Sequence, residues 1–529
     1  MVMTVFEFVL ARAPRTRYAL QLAAVLLLAA CVAPPTTQDS EYTDHYGNEV
    51  FGAGFTMIAD RYIDPISLRE LSVSGMSGLS SLDSQLAFSD VGNGARLTYA
   101  GHPFGTINLP SSQKPEAWSD VTVRAIAMAR TASPTVAKAD AEAIFKAVFD
   151  GIVEPLDGFT RYAGNQRATE HRALRDGFGG IGVSIRMEDD SALVLSVNDV
   201  GPAADAKVLA NDRVTHVQGE PVAGWTQRQL VDRLRGKIGT KLQFTVQRPE
   251  QSEPLLFTLT RAHIVPVTVT SRREDNVAII RVVGFNRETA RKVESAIKDQ
   301  LKESERPLAG LVLDLRSNPG GLLDQAVELA DTFLDSGDII LTFGRHPRSL
   351  QRFVATVGDL TGGLPLVILV NGNSASASEV VTAALQDQAR AIVVGSNSFG
   401  KGTVQTVLQL PNNGEITLTW SRLVTPSGYR LHKLGILPSV CTRSDGEQTV
   451  TADRLLSQVE KETQTLKDQF SRWRATGNRD SSDRETLRAL CPSDSGSPDT
   501  DVAIAKNLLA NPKLYNELIR KGTINLAGR

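Results

Sequence analysis

The 529-residue chain is short of cysteine, histidine, net charge and long apolar runs, and each shortage closes off a class of protein. Its three cysteines and seven histidines stand singly, with no Cys/His cluster at metal-ligand spacing, so neither a metal centre nor another cofactor is expected. Lysine plus arginine (57) nearly balance aspartate plus glutamate (59), and a formal charge of -2 argues against a nucleic-acid partner held by phosphate neutralisation. The N-terminal apolar run, Tyr18 to Ala30, is too short for a comfortable transmembrane helix. What remains is ordinary globular composition, 41% hydrophobic and 22% charged, with room for about three domains.

The apolar run follows Arg12, Arg15 and Arg17, and residues 1–30 read as an export signal. They close on Leu28-Ala29-Ala30-Cys31, similar to a bacterial lipobox, so signal removal would leave Cys31 as a lipid-carrying first residue anchored to the membrane; an ordinary signal peptide cut near Ala30 is the alternative. Residues 31–50, with Val32-Ala-Pro-Pro and no periodic pattern, read as a tether. Cys441 and Cys491 are then left over, either as two buried thiols or, in an oxidising periplasm, as a disulfide. The expected location is the cell envelope, facing the periplasm.

Residues 51–177 read as a helical region, with helices over Phe55–Ile63, Leu68–Leu82 and Lys138–Val153 around an insertion, 91–133, that is poor in pattern and rich in Gly, Pro and Ser. Residues 178–262 are β-rich: Phe178-Gly-Gly-Ile-Gly-Val-Ser-Ile185 is followed by a strand at 192–197, a helix near 226–234 and a strand at 241–247. A glycine-rich turn running into an edge strand offers N–H groups for a carboxylate and an edge for an extended peptide. From residue 263 to about 445 strands alternate with helices, which implies a layered, largely parallel arrangement. Residues 446–529 carry a charged helical stretch, Thr451–Trp473, a polar break at 475–483 and a last helix near Asp501–Leu518.

Chemistry concentrates between Asn371 and Gln405. An apolar run, Pro365–Val370, turns through Asn371-Gly-Asn373 into Ser374-Ala-Ser376-Ala-Ser378-Glu379 and a helix; a second, Ala391–Val394, leads into Gly395-Ser-Asn-Ser-Phe-Gly-Lys-Gly-Thr-Val-Gln405. A serine entering a helix has unpaired N–H groups beside it that can hold an oxyanion. A lysine between apolar segments loses solvation of its charged form and becomes a base. Alone, Ser376 reads as a helix cap and Lys401 as a loop charge. Gly395-x4-Gly400-Lys401 also approaches a phosphate-binding loop, but Gly402 stands where that motif needs Ser or Thr, and a strand pattern follows where it needs a helix.

Gly310–Ala330 with its Arg316-Ser-Asn-Pro-Gly-Gly321, Asn371–Glu379 and Ser398–Gln405, in that order, resemble the carboxyl-terminal processing peptidases, or tail-specific proteases. Leu156-Asp-Gly-Phe-Thr-Arg-Tyr162 is similar to a further motif of that family, and residues 178–262 resemble its PDZ domain. The resemblance implies a multidomain α/β protein: N-terminal helical region, PDZ-like domain, crotonase/Clp-like catalytic domain and helical C-terminal extension. It implies a serine endopeptidase in which Ser376 is the nucleophile, Lys401 the base and Gln405 the residue that orients it. The oxyanion hole would come from Ala377 with Gly320, Gly321 or Leu322, and Gly180, Ile181, Gly182 and Val183 would bind the substrate tail. Substrates would be exported proteins with unstructured apolar C-termini; an accessory lipoprotein adaptor and a homo-oligomer are compatible with the family. The chain departs from the family pattern at Lys207 and Asn211, where glycines are usual and a reshaped turn is expected, and at Ser439, where an acidic residue is. The rival readings are a catalytically silent PDZ-type adaptor and a coenzyme A-dependent crotonase-like enzyme.

Overall fold

The computed structural model describes residues 42–302, 307–442, 463–476, 481–494 and 498–522. The export signal, Cys31 and residues 31–41 of the tether lie outside the described residues, as does 451–462 of the charged C-terminal stretch. The remainder of the tether is not a tether. Thr43 accepts a hydrogen bond from the Tyr46 N–H and starts a helix, Asp44–Arg61, whose Val50, Phe51, Phe55 and Ile58 recur at helical spacing and are buried.

The expected insertion is structured too. Strands Leu86–Asp90, Gly94–Tyr99 and His102–Asn108 form an antiparallel sheet, and an 18-residue helix, Pro115–Ala132, follows. Trp118, Val121, Thr122, Ala125, Ile126 and Ala129 form its buried face. Thr122 satisfies its hydroxyl on the Trp118 carbonyl and on Ser72 Oγ, so a polar residue sits in the core at little cost. This region is continuous with the catalytic part: its core includes Leu408, Leu410, Ile416 and Leu418, and its strand Arg161–Ala163 pairs with Glu415–Val424.

The β-rich unit is a sheet in the order Leu255–Thr260, Lys241–Gln247, Arg213–Val217, Ser191–Val197, Val183–Glu188. Val183–Glu188 is therefore an edge, and the helix Gln227–Leu234, capped by Thr226, lies beside it. Lys207 and Asn211 do not reshape their turn. Both adopt the left-handed conformation (φ 62° and 73°) that glycine would take, and Arg248 braces them by donating to the Lys207 carbonyl at 3.0 Å while pairing with the buried Asp212.

The catalytic core is a six-stranded sheet in the order Val269–Glu274, Val277–Val282, Gly310–Asp314, Leu366–Val370, Ile392–Gly395, Val440–Cys441, parallel throughout except for the first pair. Gly310–Asp314, Leu366–Val370 and Ile392–Gly395 are buried at every position, as strands covered on both faces must be. Helices Thr289–Lys302, Leu323–Asp331 and Ala377–Asp387 cover one face. The other belongs to the C-terminal extension, through Ile504, Leu508, Leu509, Leu514, Tyr515 and Leu518. The single last helix expected is in fact two, Pro498–Ala510 and Pro512–Gly522, because proline starts a helix but cannot continue one, and Asn511 caps the second. The expected polar break is also partly helical, at Ser481–Arg488.

Because Leu508 is fully buried against this sheet, Leu508→Ala should lower stability by about 2–5 kcal/mol in urea denaturation.

Candidate active site

Three serines enter the helix Ala377–Asp387, and their bonding separates them. Ser374 Oγ donates to the Leu315 carbonyl at 2.9 Å and Ser378 Oγ to the Asn318 carbonyl at 3.0 Å, so both weld this turn to the Arg316–Gly321 loop. Ser376 makes no such bond; it lines the cleft, at φ 57° and ψ -112°. A non-glycine residue in that region stores about 1–3 kcal/mol of strain, which the surrounding bonds must hold.

The glycine loop fits flush against this turn. A Cβ on Gly320 (φ 100°) would lie 2.7 Å from the Ala375 carbonyl oxygen, and one on Gly321 (φ 150°) 2.1 Å from that of Phe285, so neither position admits a side chain. The donors are then resolved by bonding. Of the three alternatives Gly320, Gly321 and Leu322, the Gly320 N–H bonds to Asn318 Oδ1 and the Leu322 N–H to the Phe285 carbonyl. The N–H groups of Gly321 and Ala377 have no acceptor among the described residues.

Glu379, whose part could not be read from sequence, joins the two halves of the site. It is 1% exposed and accepts from the N–H of Ser376 (2.7 Å), Gly400 (2.7 Å) and Lys401 (2.9 Å) and from Ser398 Oγ (2.5 Å). Burial pushes its pKa up, against the four donors that favour the carboxylate. Lys401 lines the same cleft as Ser376, and its pKa is lowered by burial first and by the Arg161 guanidinium second, with Glu379 and Asp157 opposing. Its Nζ lies 5.1 Å from the centre of the Phe159 ring, and no hydrogen bond joins it to Ser376 Oγ among the described residues. Gln405 lines the cleft, with no hydrogen bond to Lys401 among the described residues. A register shift at Val404/Gln405 accompanies the turn of its amide toward Thr403 Oγ1 (3.0 Å) and Thr419 Oγ1 (3.3 Å).

The cleft, of about 620 Å³, is walled by Val283, Phe285, Leu322, Leu323, Val380 and Leu423, and one end carries Arg161, His171 and Arg175. These residues, two arginines and a histidine whose pKa burial lowers, come from the N-terminal region, where the motif Leu156–Tyr162 was the available signal. Gly180, Ile181, Gly182 and Val183 lie apart from the cleft and line a cavity of about 140 Å³ between the edge strand and the helix Gln227–Leu234. The N–H groups of Ile181 and Gly182 have no acceptor among the described residues, and Gly182 takes φ 82°. Cys441 and Cys491 are joined in a disulfide. Among the described residues no group of acidic, Cys or His side chains could hold a metal, and no helix is long and apolar enough to cross a membrane.

Residues 276–441 match the profile of peptidase family S41 and residues 179–259 that of the PDZ domain. The chain is 40% identical over 303 residues to a carboxy-terminal-processing protease of Bartonella bacilliformis, covering 57% of this chain and 70% of that one. It is 32% identical over 307 residues to a CtpA-like serine protease of Staphylococcus aureus, again 57% of this chain but 61% of the relative. Among solved structures it is similar to a photosystem II D1 C-terminal processing protease, with 29% identity, 55% of this chain and 81% of that one covered, and a TM-score of 0.33.

Glu379→Gln replaces an acceptor with a donor that faces N–H groups, so it should lower kcat about a hundredfold or more and stability by about 1–3 kcal/mol, read from steady-state kinetics and thermal melts.

Proposed function

The chain belongs to peptidase family S41 as a carboxy-terminal-processing serine protease with a PDZ domain, and on that footing we propose that Ser376 and Lys401 are its nucleophile and base. The observation that carries this reading is the Glu379 bridge: one buried carboxylate holds the backbones of both residues, so their relative position is set by short bonds rather than by loop fluctuation. On substrate entry the Lys401 amine leaves the Phe159 ring for Ser376 Oγ and takes its proton as the oxygen attacks a peptide carbonyl. The N–H groups of Ala377 and Gly321 receive the oxyanion, the leaving amine takes the proton, and water activated by the same lysine hydrolyses the acyl-enzyme. Gln405 would orient the base through its Oε1, since Thr403 and Thr419 engage only its Nε2.

Substrates in this reading are exported proteins whose apolar, unstructured C-termini add to the edge strand Val183–Glu188, with the terminal carboxylate on the free N–H groups of Ile181 and Gly182. Val183, Ile185, Val231 and Leu234 supply the apolar lining that favours such tails. The disulfide supports an oxidising compartment, and with the lipobox at Cys31 it supports a lipid-anchored enzyme facing the periplasm, where an accessory lipoprotein adaptor or self-association would operate.

The test is cleavage of an unfolded protein with an apolar C-terminus by the chain starting at residue 32, beside Ser376→Ala and Lys401→Ala. Both substitutions should reduce turnover by about a thousandfold or more; tail binding without cleavage by the unaltered chain would instead identify an adaptor.

The rate should fall as pH drops, because protonation removes the base, with the midpoint of the acid limb below the ordinary lysine value. Val231→Asp should raise KM for the tailed protein by about tenfold or more and leave kcat unchanged, since it charges the tail groove and not the cleft.

A further inference from the structure

The loop that carries Lys401 is held from outside by the C-terminal extension. Arg488 donates from Nη1 to the Leu434 carbonyl (2.8 Å) and from Nη2 to the Ser398 carbonyl (3.2 Å) and Ser493 Oγ (2.6 Å). Gly400 leaves the room for it: a Cβ there would come within 3.1 Å of Nη1. Three residues past Arg488, Cys491 is bonded to Cys441 on the last strand of the sheet. Three further on, the Asp494 backbone reaches both catalytic loops, accepting from the Gly372 N–H at 2.7 Å and from Ser396 Oγ at 2.9 Å. Arg484, one turn earlier, donates to the carbonyl of His432, whose ring meets the edge of Phe159 under the Lys401 amine.

Resting on the assignment of Lys401 as base, we propose that Arg488 is a positioning residue for the peptidase reaction: its guanidinium, fixed by the Cys441–Cys491 disulfide, holds the Ser398–Lys401 loop in the shape that presents Lys401 to Ser376. The physical reason lies in the loop's own bonding. Glu379 binds it from inside through Ser398 Oγ and the N–H groups of Gly400 and Lys401, which leaves the Ser398 carbonyl pointing outward and in need of a donor. A guanidinium supplies several donors in one rigid plane, so a single side chain ties the Ser398 and Leu434 carbonyls together. The disulfide then ties the segment covalently to the last strand of the sheet, beside the packing of Leu487 and Leu490 on the catalytic core.

The experiment compares Arg488→Ala, Arg488→Lys and the Cys441→Ser/Cys491→Ser pair with the unaltered enzyme, starting at residue 32, in kinetics, pH profile and amide hydrogen exchange of residues 398–402. Arg488→Ala should lower kcat about ten- to a hundredfold, with KM changed less than about twofold, and speed exchange in the loop. The acid limb should move to higher pH as Lys401 gains solvent, while Arg161, Glu379 and Asp157, the charged groups facing it, stay in place. Arg488→Lys should recover part of kcat, since an ammonium can still meet one carbonyl. The cysteine pair should shift kcat and exchange in the same direction, and a dithiol, itself oxidised as it reduces the disulfide to two thiols, should slow the unaltered enzyme but not that variant. Melting curves separate loss of the clasp from loss of the fold. Unchanged kcat, acid limb and loop exchange in folded Arg488→Ala would overturn the proposal. Faster exchange with no kinetic change would overturn it too, by showing a merely structural clasp. The exchange readout needs no turnover, so it stands apart from the Lys401→Ala result that tests the base itself.

Discussion

Everything in the candidate site hangs on one buried carboxylate. Glu379 is buried, and a bare charge there would be untenable; four donors from two separate loops converge on it instead. The dependence is mutual. The carboxylate is tolerated only if the Ser376 turn and the Ser398–Lys401 loop are both in place, and each loop has its N–H groups satisfied only if the carboxylate is there. Such an arrangement forms all at once or not at all, which is what holds Ser376 in a strained backbone conformation.

Around this bridge the structure is arranged in shells. Ser374 and Ser378 pin the Ser376 turn to the glycine loop, and the missing side chains of Gly320 and Gly321 let that loop lie flat against it. Arg316 continues the chain of support, pairing with Asp314 on the sheet and with the fully buried Asp501 of the C-terminal extension. The N-terminal region closes the cleft from the other side with Arg161, His171 and Arg175, so three stretches distant in sequence build one site.

The parallel sheet was legible because its strands are apolar on both faces and the helices between them periodic, and Ser376 and Lys401 because their motifs are long. The helix Pro115–Ala132 was not, since its buried face includes Ala125 and Ala129, weak apolar signals, and Ser119 and Thr122, which read as polar until their hydroxyls are seen to be bonded. Lys207 and Asn211 look like misfits in a glycine turn; nothing local reveals that Arg248, 41 residues away from Lys207, stabilises their left-handed backbone. Glu379 was visible as a letter in a motif, but its work depends on donors 19 to 22 residues downstream that only the fold brings near. Gln405 shows how contacts follow register: beside the shift at Val404/Gln405 its Nε2 meets Thr403 and Thr419.

The second cover of the catalytic sheet arrives late. The Leu366 N–H bonds to the Tyr515 hydroxyl across 149 residues of chain, and Leu508, Leu509 and Leu518 shield strands that were synthesised long before them. During biosynthesis those strands emerge with one apolar face bare, before Arg488 and Cys491 are made. Until the helices Pro498–Ala510 and Pro512–Gly522 have been made, the strands Leu366–Val370 and Ile392–Gly395 therefore lack their second cover.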